Sequence, residues 1–304
     1  MVCKNKVENK VCIITGSAQG LGKAYAKILL DNGAKVCISD LNENTATSTL
    51  EEFENRYGKG SVCFFKCDVT KQDQFEALFD QTEKYFKVNC IDILVNNAGI
   101  LDSANWRLSM EVNIIAVMTG SDIAMQRMKK SPKKGSIVNI ASTAGFLTGM
   151  GERSTGYFVS KHGVVTLTRT LARTYAQHGV SIKALCPNWV NTELVEKNKK
   201  DISKSINRQG GLMTPEYVAE GFYKLVTRCK NGAVMTAVKD LPFVVIPDDS
   251  DLYLKLRIKL MGTLGKLIGK DVVTPLQQKM FFVGIVILMI LQCFFLFTIM
   301  KNVY

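Results

Sequence analysis

The chain has 304 residues with 39 Lys and Arg, 27 Asp and Glu and 47% hydrophobic side chains, enough for one large domain with a real core. Its 23 Gly and 6 Pro exclude collagen-like and Pro-rich disordered chains. The net charge of +12 comes without a zinc finger or an aromatic-interleaved basic motif, so no nucleic-acid partner is expected and an anionic membrane surface fits better.

Met1–Lys10 is polar and charged, and no secretory signal is expected there. Short apolar or β-branched runs then alternate with segments of helical period. Strands are predicted at Val11–Ile14, Lys35–Ser39, Val62–Lys66, Ile91–Val95, Ser136–Ile140, Ser181–Leu185 and Ala233–Thr236. Helices fall near 21–32, 43–56, 72–87, 105–129, 157–178 and 215–228. In the first helix Leu21, Ala24, Ile28 and Leu29 form one apolar stripe. Apolar strands separated by helices predict a parallel sheet covered on both faces. Seven of them make a single doubly wound α/β Rossmann domain over 1–250. The nine cysteines are scattered, with no C-x-x-C pair, and fit a reducing compartment without disulfides or a metal site.

After Asp251 the composition changes. Leu252–Leu260 alternates apolar and basic residues, and six Lys or Arg lie between Leu252 and Met280. Met280–Met300 then runs 21 residues without a charge. About 20 helical residues cross the roughly 30 Å hydrocarbon core, so 280–300 is expected to be a transmembrane tail anchor. The basic segment 251–279 would flank it and hold the catalytic domain in the cytosol.

The first strand leads into Thr15-Gly16-Ser17-Ala18-Gln19-Gly20-Leu21-Gly22 and then a helix. Glycines at such a turn allow a pyrophosphate close to the backbone, beside the free amides of the helix N-terminus. Asp40 closes the second strand, where a carboxylate accepts from ribose hydroxyls and repels a 2′-phosphate. Neither Gln19 nor Leu41 is basic, so NAD is expected rather than NADP. Asp68-Val69 and Asn96-Asn97-Ala98-Gly99 follow the third and fourth strands, at the carboxyl ends where such sheets bind ligands.

Tyr157 and Lys161 stand at i and i+4 on one helix face. An ammonium about 4 Å from a phenol contributes about 4 kcal/mol at an effective dielectric of 20, or roughly three pKa units. That would make the phenolate a usable base. Ser142, just past the fifth strand, can hold a substrate oxygen beside Tyr157. Thr143 and Ser154 are further hydroxyls near it in sequence. Asn113 could bind a water linking Lys161 to solvent. His162 is expected to pack, and His178 to sit at a helix end.

The ordered set T-G-x-x-x-G-x-G, N-N-A-G, Asn113, Ser142 and Y-x-x-x-K resembles the short-chain dehydrogenases/reductases over about residues 8–240. The resemblance implies catalytic roles for Asn113, Ser142, Tyr157 and Lys161. It also implies closure of Val190, Asn191 and Thr192 over a nicotinamide, substrate contacts from Ser142, Ser154 and Tyr157, and a homo-oligomer built on the two long helices. The segment after the sixth strand reads Pro187-Asn188, where the family usually has Pro-Gly.

Phe146, Leu147, Met150, Trp189 and Leu194 lie near the expected mouth. With the anchor, they suggest a lipophilic alcohol: an oxylipin, retinoid, steroid or isoprenoid. The function expected is NAD-dependent oxidation of such a secondary alcohol. An NADH-dependent carbonyl reductase and a catalytically silent NAD-binding membrane scaffold are the alternatives.

Overall fold

A computed structural model describes residues 6–101, 105–132, 134–148, 155–208 and 210–248. The chain divides into two units, Met1–Pro247 and Asp248–Tyr304. The basic segment 251–279 and the expected membrane span 280–300 lie outside the described residues. Among the described residues one helical stretch, Trp106–Met128, has the length and apolarity to cross a membrane, and half of it is buried inside the domain.

The strands are β1 (Val11–Thr15), β2 (Lys35–Asp40), β3 (Val62–Lys66), β4 (Ile93–Asn96), β5 (Ser136–Ile140), β6 (Ser181–Pro187), β7 (Val234–Ala237) and β8 (Val244–Ile246). They form one sheet in the order β3-β2-β1-β4-β5-β6-β7-β8. The first seven run parallel. β1 is buried along its whole length because both of its faces are covered. Cys12 and Ile14 belong to one apolar layer, Val11 and Ile13 to the other.

α1 (Gly20–Asp31) and α9 (Pro215–Arg228) cover the first face, and Tyr25 stacks on Phe222 with centroids 4.5 Å apart. α3 (Gln72–Phe86) and α5 (Ala116–Met128) cover the second with Phe75, Phe79, Met125 and Met128. α2 (Glu43–Tyr57) follows β2. α6 (Thr155–Thr174) packs Val164 and Val165 with Ile114, Cys186 and Val234.

Three elements depart from expectation. The sheet has eight strands rather than seven, because Val244–Ile246 pairs antiparallel with β7. Only three residues between Pro242 and Pro247, this run has no periodicity of its own, and β7 supplies its order. Phe243 anchors the approach to it: a Cβ on Gly221 would lie 2.5 Å from the Phe243 ring, Tyr217 stacks on that ring at 5.0 Å, and the Lys224 ammonium lies 4.8 Å from its centroid. The predicted helix 105–129 is interrupted: α4 (Trp106–Met110) passes through a π-turn at Glu111–Ile115 before α5. The long helix 157–178 ends at Thr174, and His178 closes a separate 3₁₀ turn, Ala176–His178.

β1 hydrogen-bonds β2 on one side and β4 on the other, so the chain reverses its direction of travel across the sheet at that point. A crevice opens there at the carboxyl ends of the strands. Tyr25 and Phe222 are fully buried beneath it. Phe222→Ala leaves a cavity against Tyr25, and is expected to lower stability by about 3–5 kcal/mol in thermal or urea unfolding.

Candidate active site

The loop between β1 and α1 is fixed from below. Gly16 has φ +62, a conformation open to glycine, and a Cβ there would lie 2.8 Å from the Ala98 Cα. Asn97 Nδ2 donates to the Thr15 and Gly16 carbonyls, both at 2.8 Å. Thr15 Oγ1 accepts from the amides of Asn97 and Ala98 at 3.1 Å each. The Asn96–Gly99 stretch therefore clamps the turn. A Cβ on Gly22 would lie 2.7 Å from the Asn97 amide nitrogen, which is why α1 can start so close to the loop. The amides of its first turn and its positive dipole end suit a diphosphate.

The Asp40 carboxylate is positioned by two main-chain donors, Ala18 to Oδ2 and Asn42 to Oδ1, each at 3.0 Å. It lines the cavity beside Gln19 and Leu41. Lys161 is the only basic side chain on that cavity wall among the described residues, so nothing there pairs with a 2′-phosphate. Asp68 is turned into its own loop, where Oδ1 accepts from the Thr70 amide at 3.0 Å and hydroxyl at 2.7 Å. With Val69 and Cys67 it forms the wall at this end.

The cavity encloses about 960 Å³ and runs from the glycine loop to Ser142, Tyr157, Leu147 and Trp189. Ser142 leaves β5 in extended conformation. Its hydroxyl accepts from the Ala144 amide at 3.1 Å, donates to the Pro187 carbonyl at 3.3 Å, and shares a hydrogen bond with Tyr157. The Thr143 hydroxyl is engaged instead with Asn188 Oδ1 at 3.2 Å, which leaves Ser142 as the hydroxyl beside the phenol. Ser154 and Met150 lie outside the described residues.

Lys161 is 5% exposed, and its ammonium donates to the Ile140 carbonyl at 2.9 Å. It lies 5.7 Å from the centroid of the Tyr157 ring. Burial lowers its pKa to about 8. Cys186 supplies no counter-charge at neutral pH, since burial pushes that thiol up to about 12. Burial also raises the Tyr157 phenol, and its hydrogen bond to Ser142 offsets only part of that. The expected lowering by roughly three units is thus overturned for the protein without cofactor. The ammonium faces the ring and the Ile140 carbonyl, and desolvation of the phenolate outweighs any attraction across that distance.

Asn113 is fully buried in the π-turn, a device common at functional sites. Its Oδ1 accepts from the Ile100 amide at 2.8 Å, while Nδ2 donates to the Ile100 carbonyl at 2.9 Å and to Ser160 Oγ at 3.3 Å. A Cβ on Gly99 would lie 3.2 Å from Asn113 Oδ1 and 3.6 Å from Lys161 Nζ. Asn113 therefore holds the turn around Gly99 against α6, beside the ammonium.

Val190 and Thr192 line the cavity, and the Thr192 methyl would lie 3.5 Å from a Cβ on Gly20. Asn191 is exposed, and its amide donates to the Met213 carbonyl at 2.9 Å. Several wall residues had no sequence signal. A side-chain hydrogen bond joins Gln19 to Glu193 across the cavity, where α7 (Glu193–Lys197) begins. Asn198, Ile202 and Ser205, at and within α8 (Lys199–Arg208), complete the wall. His162 ring nitrogen Nδ1 contacts the Phe158 carbonyl at 2.9 Å, outside the cavity lining.

A glycine turn at the switch point, a strand-end carboxylate and a Ser–Tyr–Lys group in one cavity are the features of a dinucleotide-dependent oxidoreductase. Comparison with known proteins makes this specific. Residues 10–203 match the short chain dehydrogenase family. The chain is 32% identical over 265 residues to the 15-hydroxyprostaglandin dehydrogenase (NAD+) of Rattus norvegicus, across 81% of this chain and 97% of that protein. It is 33% identical over 245 residues to the Homo sapiens protein of the same name, across 75% and 91%. A short-chain type dehydrogenase/reductase from Mycobacterium marinum superposes with TM-score 0.71 at 24% identity, over 77% of this chain and 96% of that one. Levodione reductase gives 0.70 at 26% identity, over 77% and 97%. The chain belongs to the short-chain dehydrogenases/reductases.

Depression of the Lys161 pKa from 10.5 to about 8 corresponds to about 3 kcal/mol held against the charged form in the folded protein. The unfolded chain binds the extra proton between those values, so this penalty is full at pH 7 and fades as pH rises through the window. Lys161→Met removes it. The stability of the variant relative to wild type is expected to fall by about 3 kcal/mol between pH 7 and pH 10.5, read by urea unfolding at each pH.

Proposed function

We propose that this NAD-dependent alcohol dehydrogenase oxidises a secondary alcohol of a lipophilic molecule to the ketone, from a tail-anchored position with the catalytic domain in the cytosol. The observation that carries the reading is the Ser142–Tyr157 hydrogen bond over the buried Lys161 ammonium, in one cavity with the Asp40 carboxylate. Leu101, Leu147, Phe158, Trp189, Leu194 and Ile202 line the same cavity and favour an apolar substrate body. Two relatives named for oxidation of a prostaglandin hydroxyl support that choice. The charge-free stretch 280–300 behind a basic flank supports the anchor.

Gly16, Gly20 and Gly22 with the first turn of α1 would hold the diphosphate, and Asp40 the adenosine ribose. Val190 and Thr192 would cover the nicotinamide, and Lys161 its ribose. NAD+ supplies the hydride acceptor. Ser142 Oγ holds the substrate hydroxyl oxygen against Tyr157 Oη. The phenolate form of Tyr157 accepts the hydroxyl proton as the carbonyl forms. Lys161 stabilises that phenolate while its own proton stays shared with the Ile140 carbonyl. Gln19 and Glu193, hydrogen-bonded to each other, form part of the cavity wall.

Because burial favours the protonated phenol, Tyr157 in this setting is also a ready proton donor. That favours the reverse reaction, carbonyl reduction with NADH, as the second reading.

The purified full chain is expected to form NADH, and not NADPH, with at least one member of a panel of oxylipin, retinoid, steroid and isoprenoid alcohols. Tyr157→Phe should lower kcat by about 10²–10⁴ without changing thermal stability by a similar measure. No NADH with any alcohol, together with NADH consumption on the matching ketones, would move the assignment to the reductase. Equal turnover by wild type and Tyr157→Phe would leave only a binding scaffold.

A further inference from the structure

The end of the domain opposite the cavity carries an organised feature of its own. All seven parallel strands begin there, and the turns that precede them are neighbours: Lys35 donates its amide to the Lys10 carbonyl at 2.8 Å, Ser136 to Asp92 at 2.9 Å, and Ser181 to Gly135 at 2.9 Å. Lysines occupy these turns. Lys87 caps α3, Lys129 and Lys130 follow α5, Lys134 precedes β5 and Lys230 precedes β7, all of them exposed. Lys35 joins them, its ammonium 5.9 Å from the Phe86 centroid next to Lys87.

The acidic residues at this end are largely taken. Asp92 pairs with Lys10 at 2.7 Å, Glu83 with Arg127 at 2.7 Å, and Asp31 with Lys27 and Arg56. None of the six lysines has an ion-pair partner among the described residues. Cations near helix C-termini complement the dipole, which accounts for Lys87 and Lys129. It does not account for Lys134, Lys35 or Lys230, which stand at strand starts.

The second observation is where the chain leaves. β8 pairs Val244 with Thr236 and Ile246 with Val234, so it descends from the cavity end to the lysine end. The Arg169 guanidinium donates to the carbonyls of Ile246 at 3.4 Å and Pro247 at 2.9 Å, and pins the exit there. Beyond Pro247 the sequence adds 57 residues, with six Lys or Arg between Leu252 and Met280 and then the charge-free run 280–300.

The geometry points to docking of this lysine-bearing end on an anionic phospholipid surface. The choice of a lipid surface rests in part on the anchored tail proposed above. Phe86, the ring beside Lys35, is buried and offers no stacking face, and a polynucleotide is the competing outcome of the test below. Docked this way, the cavity opens at the far end of the strands, toward the aqueous side. A lipophilic substrate then reaches it through water or on a carrier, not by sliding directly from the bilayer beneath.

Acetylation footprinting tests this on the full chain in vesicles of phosphatidylcholine, with or without phosphatidylserine. Lys129, Lys130, Lys134 and Lys230 should react at least about fivefold more slowly in the anionic vesicles, and the difference should vanish in about 1 M salt, where the Debye length is roughly 3 Å. Lys197 and Lys199, near the cavity, should react equally in both. A Lys129→Gln/Lys130→Gln/Lys134→Gln variant should keep wild-type thermal stability and lose the preference for anionic vesicles in flotation. Equal labelling of the lysine end in both vesicle types at low salt overturns docking. So does stronger protection of the same lysines by single-stranded RNA than by anionic vesicles. Full chain that fails to float with neutral vesicles refutes the tail anchor alone, and the anionic arm still decides the docking.

Discussion

The Lys161 ammonium reaches a single main-chain acceptor, the Ile140 carbonyl, and the face of the Tyr157 ring, with almost no access to water. Much of the surrounding architecture serves to hold it there. Its acceptor ends β5, and the next residues carry Ser142 into contact with the phenol. Asn113 reaches back from the π-turn to brace the Gly99 turn beside the same ammonium. Burying a cation so fully is unfavourable, as its lowered pKa records. Folds retain such groups where function demands them.

The same burial makes the two partners of the pair move toward neutrality together: the phenol upward, the ammonium downward. A site in this state is unprepared to take a proton at pH 7. On the proposed function, the positive nicotinamide of NAD+ would be held beside Tyr157, where its charge would favour the phenolate. Cofactor binding would then be a condition for base catalysis as well as the source of the hydride acceptor.

Much of this was readable in the chain because the decisive residues stand at element ends. Asp40 closes β2, Ser142 follows β5, and Tyr157 and Lys161 share a face near the start of α6, so periodicity alone puts them near one end of a parallel sheet. The glycine turn was legible for the same reason. Other features depend on contacts between distant segments. β8 is three residues with order borrowed from β7, and the Gln19–Glu193 contact spans most of the domain in sequence. The π-turn at Asn113 hides in an uninterrupted helical pattern, since one extra residue per turn leaves no mark in composition. The direction of the phenol shift was missed for a different reason. Spacing along a helix gives proximity, but not the exclusion of water that decides between Coulomb attraction and desolvation.

The two ends of the sheet differ in character. Carboxyl ends gather glycines, Asp40 and the Ser142–Tyr157–Lys161 group, while amino ends gather lysines and the end of β8. Whatever the substrate, the chemistry stands or falls on the charge state of one phenol. Ultraviolet difference titration near 295 nm, wild type minus Tyr157→Phe, isolates that group from the other eight tyrosines. With NAD+ present, the Tyr157 phenolate should appear at distinctly lower pH than in the cofactor-free protein. An unchanged titration on adding saturating NAD+ would contradict the coupling between cofactor and phenol.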